Sequence, residues 1–158
     1  MNKIPITKEG WENLKKEYER MRNVVLPANA AEIEVARAHG DLSENAEYKA
    51  AKEKQAFVLT KIKELENNIL ACEVIDTKAL KMTTAVFGSC VKVEDAAGEI
   101  TTYILVGPFE SDVAKNRISV TSPLGKALIG KAVGDEVQVN TPGGIRSFDI
   151  LEISASGL

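Results

Sequence analysis

The sequence predicts an α+β protein in two parts, an N-terminal antiparallel helical hairpin and a C-terminal antiparallel sheet with one short helix. In the first half, apolar residues recur at alternating steps of three and four, as along the seam of a coiled coil. After Cys72 the apolar period becomes two, which is typical of half-buried strands. The seam positions also form a mirror image, which indicates two helices that fold back on each other.

The mirror consists of two series of seam positions. The first series is Trp11, Leu14, Tyr18, Met21, Val25, Ala28, Glu32 and Val35, and the second is Tyr48, Ala51, Gln55, Val58, Ile62, Leu65, Ile69 and Cys72. Facing members, such as Val25 and Val58, always add to the same number, so the mirror point falls between Asp41 and Leu42. Residues from about 8 to 75 are therefore predicted to form a hairpin with an acidic tip.

Local signals place the first helix. Thr7 suits an N-cap, and the helix then carries its seam to Arg37. Pro27 removes one backbone donor and clashes with the preceding turn. Because Pro27 lies between the seam positions Val25 and Ala28, we expect a kink rather than a stop, and we expect the heptad phase to survive across it.

The second half predicts a compact domain of strands. The expected strands are Val86–Glu94, Ile100–Gly107, Arg117–Thr121, Glu136–Asn140 and Ile145–Ile153. Ala97-Gly98 and Pro142-Gly143-Gly144 suit hairpin turns. A short helix follows Ser122 as N-cap and Pro123 at its first position, and it stops at Gly130. The predicted domains are therefore 1–76 for the hairpin, 77–84 for a linker and 85–158 for the sheet.

Composition favours a cytoplasmic protein that is not anchored in a membrane. The 158 residues contain no long apolar run and no leader that resembles a signal sequence. The net charge of −3 offers no basic tail for binding free nucleic acid. Cys72 and Cys90 follow no metal or disulfide pattern, so they are expected to be small buried residues in a reducing compartment.

The tip carries the candidate chemistry. Asp41 and Glu44 are three residues apart, so on a helical turn their carboxylates share one face and suit Mg²⁺. No third ligand stands at a sensible spacing, since Glu47 is a turn further on and His39 precedes the turn. An alternative remains open, in which Asp41 or Ser43 caps the second helix and Glu44 stabilises its positive end. Gly40 would then end the first helix.

The residues at the tip resemble a known family. Gly40-Asp41-Leu42-Ser43-Glu44-Asn45-Ala46-Glu47-Tyr48, followed by Ala50-Ala51-Lys52-Glu53, is similar to the tip signature of the bacterial Gre transcript-cleavage factors of the GreA type. The second half is similar as well, through Val86-Phe87-Gly88-Ser89, Ser122-Pro123-Leu124, Leu128-Ile129-Gly130-Lys131 and Thr141-Pro142-Gly143-Gly144. The resemblance covers essentially the whole chain.

This resemblance implies a function. The second domain would be FKBP-like and would dock on bacterial RNA polymerase, while the hairpin enters the secondary channel. Asp41 and Glu44 would then help to hold the second Mg²⁺ and its water, with the other ligands supplied by the polymerase. The protein would stimulate the polymerase to cleave nascent RNA in backtracked complexes. It would act as a monomer, would not itself be an enzyme and would hold no cofactor when free.

The resemblance also assigns contacts. Family members often carry basic residues before the proline of the first helix, whereas Val24, Val25 and Leu26 precede Pro27 here. The expected positive surface near the RNA 3′ end is therefore Arg37, Lys49 and Lys52, although solvated lysines on a helix face explain the same pattern. Ser122 and Pro123 resemble the polymerase-docking loop, although an N-cap followed by proline explains them equally well.

Two other functions remain open at this stage. A relative that only binds in the channel would inhibit the polymerase, but such relatives depart from the tip signature that this chain keeps. A prolyl isomerase would need a pocket lined by aromatic side chains. Beyond residue 76 the aromatic residues are Phe87, Tyr103, Phe109 and Phe148, with no tryptophan, so we expect no isomerase activity.

Overall fold

The computed structural model describes residues 3–40, 45–76 and 83–156. Contacts divide the chain into two compact units, of which the helical one is Glu12–Ala71 and the other joins Met1–Trp11 to Cys72–Leu158. The α+β class is confirmed. Most of the linker predicted at 77–84 lies outside the described residues, so the predicted domain boundaries stay a prediction.

The helical unit is an antiparallel hairpin, as predicted. Its first arm consists of α1 (Lys8–Arg20), a π-helical turn (Met21–Val25) and α2 (Leu26–Arg37), and its second arm is α3 (Ala46–Ala71). The Oγ1 atom of Thr7 accepts a hydrogen bond from the backbone N–H of Gly10 at 3.1 Å, which confirms the predicted cap of α1. None of the described helices is long and apolar enough to span a membrane.

The seam near the base of the hairpin is confirmed. Met21, Val58 and Leu65 are buried together, and five partly buried side chains pack against them: Leu14, Tyr18, Val25, Leu26 and Ile62. Four of these five are predicted seam positions. The apolar period thus fixes the basal half of the coiled coil correctly.

Beyond Pro27 the predicted heptad phase is wrong. The buried residues of α2 are Asn29, Ile33 and Ala36. Each lies one position after a predicted seam residue, namely Ala28, Glu32 or Val35. Val35 is instead 61% exposed. The first arm is therefore rotated by one residue between its basal and distal halves.

The π-helical turn accounts for this rotation. The backbone N–H of Leu26 bonds to the carbonyl of Met21, five residues earlier, so the turn holds one residue more than an α-helical turn would. The helix continues through Pro27, as expected. A wider turn also relieves the clash between the proline ring and the preceding carbonyl, which is the reason that the helix can continue.

The second unit contains a sheet of five strands, namely β3 (Ser89–Asp95), β4 (Ile100–Val106), β5 (Arg117–Ser119), β6 (Glu136–Thr141) and β7 (Gly144–Ala155). Their order in the sheet is β5-β4-β3-β7-β6. All pairings are antiparallel except that of β4 with β5, which is parallel. The five predicted strands are thus present, although the first begins three residues later than expected.

Helix α4 (Pro123–Leu128) packs its apolar side against the core of this unit. Leu128 is fully buried there with the inward residues of the strands, among which are Val91, Leu105 and Ile150. The side-chain Oγ of Ser122 accepts from the N–H of Gly125 at 3.1 Å, so the predicted cap is confirmed. Gly130 adopts a φ of 82°, as a helix-terminating glycine does.

The chain on both sides of the hairpin pairs as a small parallel sheet. Strand β1 (Ile4–Ile6) pairs with β2 (Cys72–Val74), so that Ile4 lies opposite Cys72. The prediction that Cys72 is a seam position is wrong, because α3 ends at Ala71. Cys72 and Cys90 are only partly buried, rather than buried as expected. This partial burial raises the pKa of both thiols above the ordinary value, which keeps them protonated near neutral pH.

The carboxylate of Glu110 holds the start of α1 to the loop after β4. It accepts hydrogen bonds from the backbone N–H of Thr7 at 3.0 Å and of Gly107 at 2.8 Å, and also from the hydroxyl of Thr7. A Cβ atom at Gly10 would overlap this carboxylate, and one at Gly107 would overlap the carbonyl of Pro5. Gly107 therefore requires glycine, whereas a side chain at Gly10 would displace the carboxylate of Glu110 from these bonds.

Candidate functional site at the end of the hairpin

The first arm ends at a glycine. Helix α2 stops at Arg37, and the N–H of Gly40 bonds to the carbonyl of Arg37 at 3.3 Å. Gly40 has a φ of 104°, in the region that glycine adopts without strain. Its predicted role as the stop of the first helix is confirmed, and it leads directly into the residues that join the two arms.

The second arm begins at Asn45. Its Oδ1 atom accepts a hydrogen bond from the N–H of Tyr48 at 3.0 Å, which makes it the N-cap of α3. Its Nδ2 atom donates to the carbonyl of Ala36 on the first arm at 2.7 Å. Asp41 and Ser43, which the alternative interpretation placed at this cap, lie outside the described residues, and within the described ranges it is Asn45 that caps α3. One side chain both starts α3 and ties it to α2.

The predicted catalytic and metal-binding residues, Asp41 and Glu44, lie outside the described residues, so their role stays a prediction. By sequence they belong to the four residues between Gly40 and Asn45. The neighbouring acid Glu47 and the single histidine, His39, are both exposed. Within the described ranges, no three His, Cys, Asp or Glu side chains are grouped so that they could hold a metal ion.

The predicted RNA-contacting residues are all exposed. Lys49 and Lys52 are three residues apart on α3 and share one face. Lys52 donates to the side-chain oxygen of Gln55 at 2.8 Å, whereas Arg37, on the other arm, lies 3.5 Å from Glu34. Exposed contacts of this kind are weak and break readily. These side chains are accessible to a ligand, but their contact with RNA stays a prediction.

Polar contacts link the arms behind the tip. Lys54 Nζ lies 2.9 Å and 3.3 Å from the two carboxylate oxygens of Glu32, and this hydrogen bond lowers the pKa of Glu32 below its ordinary value. Asn29 Nδ2 donates to the carbonyl of Ala51 at 3.1 Å. Sequence reasoning missed both contacts, because the unshifted phase put Glu32 on the seam and Asn29 beside it.

Ser122 and Pro123, the predicted docking residues, form the start of α4. Besides capping the helix, Ser122 donates from its Oγ to the carbonyl of Ser119 at 2.6 Å. Gly125 packs so closely on this carbonyl that a Cβ atom there would overlap it. Pro123 is exposed. The turn is thus rigid and accessible, while its contact with a polymerase stays a prediction.

Comparisons with known proteins now identify the family. Residues 4–74 match the family described as "Transcription elongation factor, N-terminal", and residues 80–155 match "Transcription elongation factor, GreA/GreB, C-term". The chain is 61% identical to the transcription elongation factor GreA of Syntrophus aciditrophicus, over 97% of this chain and 96% of that one. It is 51% identical to the GreA of Syntrophobacter fumaroxidans, over 97% and 99% of the two chains.

Among solved structures, the GreA factor homolog 1 protein of Thermus thermophilus is 29% identical, with a TM-score of 0.44, over 97% of this chain and 99% of that one. The assignment does not depend on this weaker likeness. Two family matches account for nearly all of the residues, and the relatives are similar along their full length. This chain belongs to the GreA/GreB family of transcription elongation factors and is of the GreA type.

Proposed function

We propose that this elongation factor acts in the cytoplasm on bacterial RNA polymerase, which it enters through the secondary channel. It stimulates the polymerase's own endonucleolytic cleavage of nascent RNA in backtracked or arrested complexes, so that elongation resumes. The observation that carries the proposal is the string Gly40–Tyr48, which joins the two arms of the hairpin in a chain of this family.

Asp41 and Glu44 are the residues that would hold a metal ion. Two carboxylates fit Mg²⁺, which takes one or two of them and keeps water or phosphate oxygens as its other ligands. When bound between the factor and the polymerase, this second Mg²⁺ would activate the water that hydrolyses the phosphodiester. The donor set of this chain is too small to hold the ion alone, which favours a site shared with the polymerase.

The remaining residues have supporting roles in this proposal. Gly40 and Asn45 hold the ends of the arms on either side of the acids. Arg37, Lys49 and Lys52 are exposed near these ends and would face the RNA 3′ segment. The factor would act as a monomer. Ser122 and Pro123, at the start of α4, would contact the polymerase outside the channel.

A cleavage assay on stalled elongation complexes tests the proposal. We expect faster RNA cleavage when the wild-type factor is added, and no acceleration with the double variant Asp41→Asn, Glu44→Gln, because amides are poor Mg²⁺ ligands. The double variant should still compete with the wild type for the polymerase. As a control, Glu12→Gln with Glu19→Gln removes two exposed carboxylates from α1 and should leave the acceleration intact.

Each outcome assigns a different role. If the wild-type factor leaves cleavage unchanged, the proposed function is wrong. If it slows cleavage, the factor is a channel inhibitor. If the double variant accelerates cleavage as well as the wild type, the carboxylates do not hold the ion, and only the binding part of the proposal survives.

A further inference from the structure

One face of the hairpin carries a row of side chains, apolar except for Lys54, that no other part of the helical unit covers. We call it the outer row. The first arm contributes Val24, Ala28, Ala31 and Val35, and α3 contributes Ala50, Lys54 and Phe57. The steps of three and four put each set on one side of its helix. Five of the seven residues line a single open groove between the arms.

The large members of the outer row are mostly exposed. Phe57 is 69% exposed, Val35 is 61% exposed and Val24 is 60% exposed. The π-helical turn is the cause on α2, since it turns Asn29, Ile33 and Ala36 inward and leaves the neighbouring row outside. Contiguous exposed apolar side chains commonly mark a surface that binds another protein.

The charges on this face argue against a nucleic acid as the ligand. Binding of phosphates needs a surface with net positive charge. The cations at the same helical spacing each have an acidic neighbour that cancels their charge, namely Arg20 with Glu17 at 2.7 Å, Lys54 with Glu32 at 2.9 Å and Lys61 with Glu64 at 3.8 Å. The face is therefore close to neutral, which complements an apolar protein surface.

The size of the outer row limits what it can hold. A buried phenylalanine covers about 150–250 Å². Even with two valines, the row falls short of the roughly 800 Å² per partner that a stable protein interface needs. It cannot hold a second copy or a free partner by itself. It suits a partner that another surface of this chain already binds.

We infer that the outer row is a second contact with RNA polymerase, made with an apolar protein surface inside the channel. The inference rests on the proposed function, which supplies a partner that the start of α4 already binds. Phe57 contributes most of the contact energy, because aromatic side chains dominate such interfaces. The row fixes how tightly the hairpin is held and takes no part in the cleavage step.

Titration of the factor in the cleavage assay tests the role of Phe57. For Phe57→Ala we expect the concentration that gives half-maximal acceleration to rise about tenfold, while the rate at saturation stays the same. Leu59→Ala is the matched control, because Leu59 is 49% exposed on the same helix but lies off the row. It should change neither value. Thermal unfolding should be unchanged for both variants, since both side chains are largely exposed.

Direct binding of labelled factor to the polymerase separates this inference from the proposed function. If the wild type binds the polymerase without accelerating cleavage, the proposed function is wrong. The affinity of Phe57→Ala relative to that of the wild type then decides the inference about the outer row. If Phe57→Ala and the wild type bind the polymerase with equal affinity, the inference about the outer row is wrong. It is also wrong if Phe57→Ala lowers only the cleavage rate at saturating factor. A wild type that binds no polymerase overturns both. A dimer in sedimentation that Phe57→Ala dissociates would assign the row to a second copy.

Discussion

Asn29 sits in an environment that few asparagines occupy. Its side chain is fully buried on the seam, and its Nδ2 atom bonds to Ala51, but its Oδ1 atom has no hydrogen-bond partner in the described part of the protein. An unsatisfied buried carbonyl costs about 1–3 kcal/mol, which is comparable with the gain from the bond that the amide makes. The distal hairpin is therefore less stable than it would be with an apolar side chain of the same shape at position 29.

Replacing Asn29 with leucine should stabilise the hairpin. Leucine has the same branched shape, removes the unsatisfied oxygen and adds apolar burial next to Ile33. We expect Asn29→Leu to raise the free energy of unfolding by about 1 kcal/mol. Urea denaturation followed by circular dichroism measures the change.

Asn45 provides the matched control, because both polar atoms of its side chain are bonded. Asn45→Ala should lower the free energy of unfolding by about 1–2 kcal/mol, as the loss of an N-cap does. A lower stability of Asn29→Leu would show that the bond to Ala51 outweighs the unpaired oxygen.

Caps were predictable only where the signal is local. Thr7 and Ser122 each precede a clear helical stretch, so the sequence identifies them. Near the tip, Asp41, Ser43 and Asn45 can all cap a helix by residue type. The choice of Asn45 as the cap depends on the carbonyl of Ala36 on the other arm, which accepts a hydrogen bond from the Asn45 amide. The sequence alone does not show that this carbonyl lies nearby.

Among the helices, the π-helical turn decides which face of α2 is buried. Two rows on α2 are apolar enough to form a seam, since Ala28 and Val35 lie on one and Ile33 and Ala36 on the other. A count of threes and fours follows the first row without interruption. The structure follows the second, because the turn before Pro27 adds one residue. Side-chain periodicity carries no mark of such an insertion.

If the turn is one inserted residue, its removal should be tolerated. We expect Pro27→Ala with deletion of Val24 to give a continuous α-helix in which every buried residue keeps its position. Alanine removes the clash that a tighter turn would restore, and Val24 is mostly exposed. The free energy of unfolding of the variant should exceed that of the wild type by at least about 1 kcal/mol, as measured by urea denaturation.

Deleting Thr60 in the same Pro27→Ala background is the control. Thr60 is exposed on α3, where no extra residue exists to be removed. This deletion turns Ile62 and Leu65 off the seam and should cost several kcal/mol. If deleting Val24 is as harmful as deleting Thr60, the turn is not an insertion and the shifted phase has another cause.

For the chain as a whole, the fold class, the hairpin and the five strands could be predicted, because each depends on local periodicity. The parallel pairings could not. Strand β4 pairs with β5, and β1 pairs with β2 across the whole length of the hairpin. Strand direction depends on how the intervening residues travel, and period two is the same for parallel and antiparallel strands. The candidate site at Asp41 and Glu44 depends on the family resemblance rather than on a complete set of ligands, and it stays a prediction.

The free factor should have no nuclease activity. Two carboxylates fill too few coordination positions of Mg²⁺ to hold the ion and activate a water without the polymerase. Incubation of the factor with single-stranded RNA and Mg²⁺ should therefore leave the RNA intact, as gel electrophoresis would show. The same RNA in a stalled elongation complex is the positive control. Cleavage by the factor alone, at a rate that depends on Asp41, would mean that this chain builds a complete active centre.

The side chain of Asn45 makes two hydrogen bonds, one within α3 and one to α2. The amide of Asn45 starts α3 and also binds α2, so the described ends of the two arms are joined by a residue other than the two predicted metal ligands. Substitutions among the four residues between Gly40 and Asn45 are therefore expected to leave the described ends of both arms unchanged, so that the chemistry of the tip can vary separately from the helices. The two arms would then serve as a constant support for a tip whose residues differ.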